Sequence, residues 1–410
     1  MRGNKHFRRV GKVLAFFAVT LLVTNAWAAA HQVLVPFNGT NGANPVAGLI
    51  ADSSGNFYGT TDTGGQFGFG TVYEMSPSGG GWTVTVLHSF QNNGVDGTYP
   101  FCTLTFDTNG NLFGTTYKGG VHNYGTVFEL SPNGGSWTET ILHNFNVVDN
   151  VGDGGFPQSG VIFDSQGNII GAAYAGGSNG YGEIYKLTPN GSGGWNKGTV
   201  HNFGSGTDGR NPNSNLIADG MGNFYGTSYT GGASGAGTVY ALIPNGSGGY
   251  SEKIIHSFSV GSDGTNPEQA ALVFDSHGNL YGTCSLGGGN AKGTAFKLTP
   301  NGSGGWAKST VHNFGAGTDG QNPYSGLIID GQGNLYGTTY NGGTNGFGTV
   351  FKIAPNGSGG YTETVLHNLF GGSDAAHPYG PLILDSQGNL YGTSYLGGSP
   401  KMGTVFEITP

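Results

Sequence analysis

Charge is scarce in this chain: only 9% of its 410 residues are Asp, Glu, Lys or Arg. Five of the fifteen basic residues, and none of the 23 acids, fall in the first 28 positions, so residues 29–410 carry ten bases against 23 acids, a net charge of −13. An acidic surface without a basic run argues against nucleic acid or an anionic membrane as a partner. Cysteine is nearly absent, with only Cys102 and Cys284. A chain this long buries a core without disulfide staples, and no bridge is expected. Helical periodicity is missing beyond the first 28 residues, and no second long apolar run offers a membrane anchor.

What is abundant is glycine, 83 residues, alongside 12% aromatics that recur at fixed places. Disordered glycine-rich chains lack such aromatic content, so the glycines read as turn residues of a β-rich fold. The N-terminus is a separate object. Arg2, Lys5, Arg8, Arg9 and Lys12 precede an apolar stretch from Val13 to Val23 and the small residues of Ala26-Trp27-Ala28, the pattern of a cleavable secretory signal over residues 1–28.

The string Gly-Asn-apolar-aromatic-Gly-Thr begins at Gly55, Gly110, Gly222, Gly278, Gly333 and Gly388, with a weaker copy at Gly167. A second string, Gly-Thr-Val-aromatic or a near variant, follows at Gly70, Gly125, Gly182, Gly237, Gly293, Gly348 and Gly403, with Glu183 replacing the Thr in one copy. Seven units of about fifty-five residues result, each offering four strand segments. In the sixth these are Gly326 to Ile329, expected to be an innermost strand buried on both faces, then Leu335 to Tyr340, Thr349 to Ala354 and Tyr361 to Leu369. An aspartate precedes each Gly-Asn turn, from Asp52 to Asp385, placed to accept backbone N–H bonds, and Asn190-Gly191, Asn245-Gly246, Asn301-Gly302 and Asn356-Gly357 signal tight hairpins. The last unit stops after its third strand, while Val33 to Phe37 resembles an outer strand. The prediction is an all-β, seven-bladed β-propeller of four-stranded blades over residues 29–410, its ring closed by the N-terminal strand.

These strings resemble the GloVer tandem-repeat family of exported bacterial proteins. The resemblance implies an extracellular or cell-envelope location and no particular reaction. Members commonly end in varied surface-sorting tails, and none is recognised here, which puts attachment to the cell surface in doubt.

Six outer strands carry a histidine, His88, His143, His201, His256, His312 and His367. Equivalent positions spread around a rim cannot share one ion, so a packing or hydrogen-bonding role is expected, with no metal and no cofactor. The Asp-Gly loops at Asp96, Asp153, Asp208, Asp263 and Asp319 offer one acid each and read as turns, not calcium loops. Tyr117, Tyr174, Tyr229, Tyr340 and Tyr395 end the second strand of their units, on the face expected to bear the Asp-Gly loops, and are the candidate binding residues. Catalysis on a symmetric ring needs one site and therefore residues that break the repeat. His122, Arg210, Glu268, Lys292, His377 and Lys401 do so, but form no nucleophile, metal or paired-carboxylate motif, so no catalytic residue is assigned. Arg210 and His377, in corresponding loops, join the tyrosines as binding candidates. The function expected is an exported, non-catalytic module binding a polysaccharide or an envelope protein; the alternative is an extracellular propeller lyase or hydrolase.

Overall fold

The computed structural model describes residues 29–147, 152–246, 248–269 and 271–410. The signal-like segment 1–28 lies outside the described residues. Seven small antiparallel sheets follow one another around an axis, giving a seven-bladed β-propeller with no helix among the described residues. In blade 1 the strands run, from axis to rim, Ile50–Ala51, Phe57–Thr61, Thr71–Ser78 and Gly81–Ser89.

Each blade rests on one repeated contact. The aromatic of the second string (Tyr73, Phe128, Tyr185, Tyr240, Phe296, Phe351 or Phe406) is fully buried. Its ring lies on the second strand where a side chain would not fit: a Cβ added at Gly59 would stand 2.5 Å from the Tyr73 hydroxyl, and one at Gly114 would stand 2.6 Å from Phe128. Glycine in the Gly-Thr step is therefore a packing requirement. In six blades the same aromatic meets a phenylalanine of the preceding blade, edge-on for Phe90 on Phe128 at 5.3 Å and tilted for Phe314 on Phe351 at 5.0 Å, while Phe406 of blade 7 packs with Leu369. Such pairs contribute about 0.5–1.5 kcal/mol each beyond the area they bury.

The N-terminal strand Ala30–Pro36 pairs antiparallel with Thr404–Thr409, closing the ring in the seventh blade. Between Val33 and Val35 it repeats the register shift that every other outer strand makes against its third strand, for example at Val72/Tyr73. Phe37 then packs on Tyr73 of blade 1 at 5.1 Å, as Phe90 does on blade 2.

Two local expectations need correction. The innermost strand of the sixth blade is only Ile328–Ile329, and both residues are half-buried. The axis is too crowded for a longer ladder. A Cβ on Gly326 would meet the Ala271 carbonyl at 2.4 Å, so this segment leaves the sheet to pack on its neighbour, and a separate two-residue ladder, Gly320–Gln321 with Asn341–Gly342, forms past the other end of the second strand. The Asn-Gly pairs do not make two-residue turns. Asn190 lies outside the left-handed region, and its Oδ1 accepts from the N–H groups of Ser192 and Gly194 across a loop that ends at Trp195. The tight turns belong to blades 1 and 2, at Gly79-Gly80 and Gly134-Gly135, where both residues have positive φ. The turn aspartates act as expected: Asp52 Oδ1 accepts from Ser54 N and Asn56 N at 2.8 and 2.9 Å, and Oδ2 takes the Tyr58 hydroxyl.

Candidate functional site

Both the Asp-Gly loops and the ends of the second strands lie on one face, because they pair with each other, as in Gly97↔Gly119 and Thr98↔Lys118. Around the axis at this face stand Asp62, Tyr117, Tyr174, Tyr229, Ser285, Tyr340 and Tyr395, one from each blade. The five tyrosines are half-buried. Their backbone is held by the following blade: Asn211, Asn266 and Asn44 donate from Nδ2 to the carbonyls of Tyr174, Tyr229 and Tyr395 at 3.0–3.2 Å. These asparagines sit at φ near +56° to +59°, a left-handed conformation that asparagine tolerates.

His377 occupies the same clasp. Its φ is 55°, its Nδ1 lies 2.9 Å from the Tyr340 carbonyl, which requires the proton on Nδ1, and its ring packs on Tyr340 at 4.6 Å. Arg210 is one register position away, with its guanidinium 4.2 Å over the Tyr181 ring. The structure therefore puts His377 to work inside the rim and Arg210 on a neighbouring aromatic, and does not bring the two together.

Beneath the tyrosines lies a second tier that sequence reasoning missed. It is formed by the residue after the proline of each inner segment: Val46, Phe101, Gln158, Asn213, Glu268, Tyr324 and Tyr379. The tiers touch, with Tyr324 and Tyr379 each packing on Tyr340, at 5.2 and 5.9 Å, and Phe101 on Tyr117 at 5.6 Å. Among them the axis narrows to a cavity of about 10 Å³, lined by Val46, Thr103, Gln158, Asn213, Asn215 and Gln269 among others. The missed signal was available: the prolines align the seven units, and the next position carries six different residue types.

Glu268 is the carboxylate of this second tier. Burial pushes its pKa upward, against the opposing hydrogen bond from the Tyr379 hydroxyl, 3.2 Å from Oε1. At the rim, burial pushes Asp62 up to about 6, and its Oδ1 has no hydrogen-bond partner. Burial also raises Tyr174 and Tyr229, with Glu268 adding to both. The funnel thus presents aromatic faces, hydroxyls, amides and carboxyls held toward their neutral form. That suits hydrogen bonding and stacking with a neutral polyhydroxylated ligand. Larger hollows at the opposite face, lined by turns such as Asp164 and Asp219, recur at Asp330 and Asp385 and are a feature of the repeat.

The sequence pattern described as the Gloeobacter/Verrucomicrobia repeat matches residues 20–152, 137–304 and 246–410. No curated protein matches. Among solved structures, a Bacteroides uniformis protein provisionally described as a 6-phosphogluconolactonase is similar at 13% identity, with 85% of this chain and 89% of that one covered and a TM-score of 0.49. A luciferin-regenerating enzyme is similar at 14% identity, covering 93% of this chain and 95% of that one, with a TM-score of 0.44. Likenesses this distant carry no reaction over to the present chain.

Proposed function

The chain belongs to the Gloeobacter/Verrucomicrobia repeat family, and from that premise we propose that it is an exported, non-catalytic propeller that binds a polysaccharide in its axial funnel. The observation that carries this reading is the pair of stacked tiers: a rim of tyrosines repeated in five blades over a tier that differs from blade to blade. The repeated rim supplies rigid aromatic surface at little entropic cost, and the varied tier beneath supplies the asymmetry that one ligand orientation needs. The basic and apolar pattern of residues 1–28 supports export.

The test is retention of the signal-free protein on a panel of polysaccharides and on cell-envelope extract, beside a Tyr229→Ala/Tyr340→Ala/Tyr395→Ala variant and a Glu268→Gln variant. Binding to a polysaccharide that the folded triple variant loses supports the proposal, and recovery of an envelope protein alone replaces the ligand class. Glu268 beside Tyr379 favours one alternative, an extracellular lyase or hydrolase using a buried carboxylic acid. Turnover of a retained glycan that Glu268→Gln abolishes, with binding kept, would establish it.

A further inference from the structure

Away from the funnel, the histidines near the ends of the outer strands meet the aspartates of the following loops. His88 Nε2 lies 3.2 Å from Asp96 Oδ2, His201 Nε2 3.0 Å from Asp208 Oδ2, and His312 Nε2 2.9 Å from Asp319 Oδ2. A third residue reaches each pair from the outer strand of the next blade. At this position, opposite a buried Leu or Ile of the third strand, blades 2 to 6 carry Glu139, Lys197, Glu252, Lys308 and Glu363, an alternation of charge sign.

The lysines show what the position requires. Lys197 Nζ is 2.8 Å from Asp153 Oδ1, and Lys308 Nζ is 2.8 Å from Asp263 Oδ1, so at these two interfaces the chain supplies its own cation. At the other three a second carboxylate takes the lysine's place. The Asp96 side chain is only 5% exposed, and its Oδ1 has no hydrogen-bond partner. Oε1 of Glu139, Glu252 and Glu363 is likewise buried and unpartnered. Ionised together, an aspartate and a glutamate bring two negative charges to one imidazole in a buried place, and one divalent cation would balance them.

The geometry fits such an ion. In each trio one ligand atom per residue lies within 4.8 Å of the others. His88 Nε2 is 3.2 Å from Asp96 Oδ2 and 3.6 Å from Glu139 Oε2. Ligands bound tetrahedrally to zinc at about 2.0–2.1 Å stand about 3.3–3.4 Å apart. An imidazole nitrogen among the ligands selects a zinc-type ion over calcium or magnesium.

We propose that the interfaces between blades 1 and 2, 3 and 4, and 5 and 6 each hold one divalent zinc-type cation. The ligands are His88, Asp96 and Glu139; His201, Asp208 and Glu252; and His312, Asp319 and Glu363. Each ion does for its interface what Lys197 or Lys308 does for the ones between. The sixth interface is different. His31 stacks on His367 at 4.2 Å with planes 3° apart, and the in-plane lone pairs of parallel rings do not converge on one ion. The expectation of no metal weighed the histidines only against each other, and their partners come from another loop and another blade.

The experiment is elemental analysis of the chelator-stripped chain after dialysis against Zn²⁺, with Co²⁺ absorption as a report on tetrahedral nitrogen and oxygen ligation. Three ions per chain are expected, and Zn²⁺ raises the Tm. Glu139→Lys, which copies the neighbouring interface, removes one ion while circular dichroism stays unchanged, and Glu139→Lys/Glu252→Lys/Glu363→Lys removes all three together with the Tm response. A parent chain that retains no more zinc than the triple variant, or a stoichiometry that the lysines do not lower, overturns the proposal and leaves the trios as proton-sharing carboxyl pairs.

Discussion

A tyrosine hydroxyl sealed into a blade interior is a fault that the repeat itself identifies. Tyr73, Tyr185 and Tyr240 fill the place that Phe128, Phe296, Phe351 and Phe406 fill elsewhere, and all seven are fully buried. The three hydroxyls have no hydrogen-bond partner, and burial pushes each pKa far up. A buried hydroxyl left unpaired costs about 1–3 kcal/mol, whereas phenylalanine at the same place is already accommodated in four blades. Tyr73→Phe, Tyr185→Phe and Tyr240→Phe are each expected to leave stability unchanged or raise it by about 1 kcal/mol, additively because they lie in separate blades. Urea denaturation checks this, and a loss above about 1 kcal/mol in any of them would show that the hydroxyl has a partner. At this scale the sequence was legible where partners are local. The turn aspartate and its donors span four residues, so Asp52 and its equivalents could be assigned from the string alone. Glu268 was visible as a break in the repeat, but Tyr379, its partner, lies 111 residues away, and nothing in either neighbourhood announces the pair.

At the scale of the element, the ends of the sheets decide what the sequence conceals. Second, third and outer strands follow from the repeated strings, because glycine and aromatic positions are fixed by contacts within one blade. The inner strand does not, since its length is set by seven segments competing for the axis, and neither does the Asn-Gly loop, whose width depends on the side chain of Asn190. The N-terminal strand was recognised by likeness, yet its hold on blade 7 has a feature of its own. His31 stacks on His367 and stands 3.1 Å from Asp374, and its pKa is lowered to about 4, first by burial, against Asp374 and with His367 adding to the effect. The free imidazole titrates near 6.5, so a depressed value in the folded state means that the strand's hold is complete above about pH 6.5 and is lost as the pH falls toward 4. The loss amounts to about 2 kcal/mol, after allowance for partial solvent access. Amide exchange over residues 30–36 is expected to accelerate through that window, and His31→Phe should flatten the change. If both proteins show the same acid profile, the titrating group lies elsewhere.

Taken as a whole, the ring is a circular array in which the first and last described strands meet in blade 7. Every interface packs an apolar side chain on the buried third-strand aromatic, and the charged position beside it varies. His–Asp–Glu trios lie between blades 1 and 2, 3 and 4, and 5 and 6, and lysine–aspartate pairs between 2 and 3 and between 4 and 5. The His31–His367 stack lies between 6 and 7, and between 7 and 1 there is an apolar contact where Val35 and Val84 replace the histidine and the charged third residue. None of these depends on where the chain is cut. Ala30 lies opposite Thr409 in the closing ladder, so these two residues are one strand spacing apart, about 5 Å, and in a chain beginning at Ala29 a short Gly-Ser linker can join Pro410 to Ala29. The exposed loop at Ser358-Gly359 then offers new ends between the third and outer strands of blade 6, the same position that the ends now occupy in blade 7. This permutant is expected to fold, with a Tm within about 5 °C of the parent. Its acid sensitivity should move: exchange over residues 30–36 slows, because that strand is no longer a free end, while residues 361–368 become the first to open. Retention of fast exchange at 30–36 would mean that His31 weakens the strand locally, whether or not it can leave. A permutant that fails to fold would mean that the ring must close last through the present N-terminal strand, and the symmetry of its interfaces would then describe the finished structure without describing how it is reached.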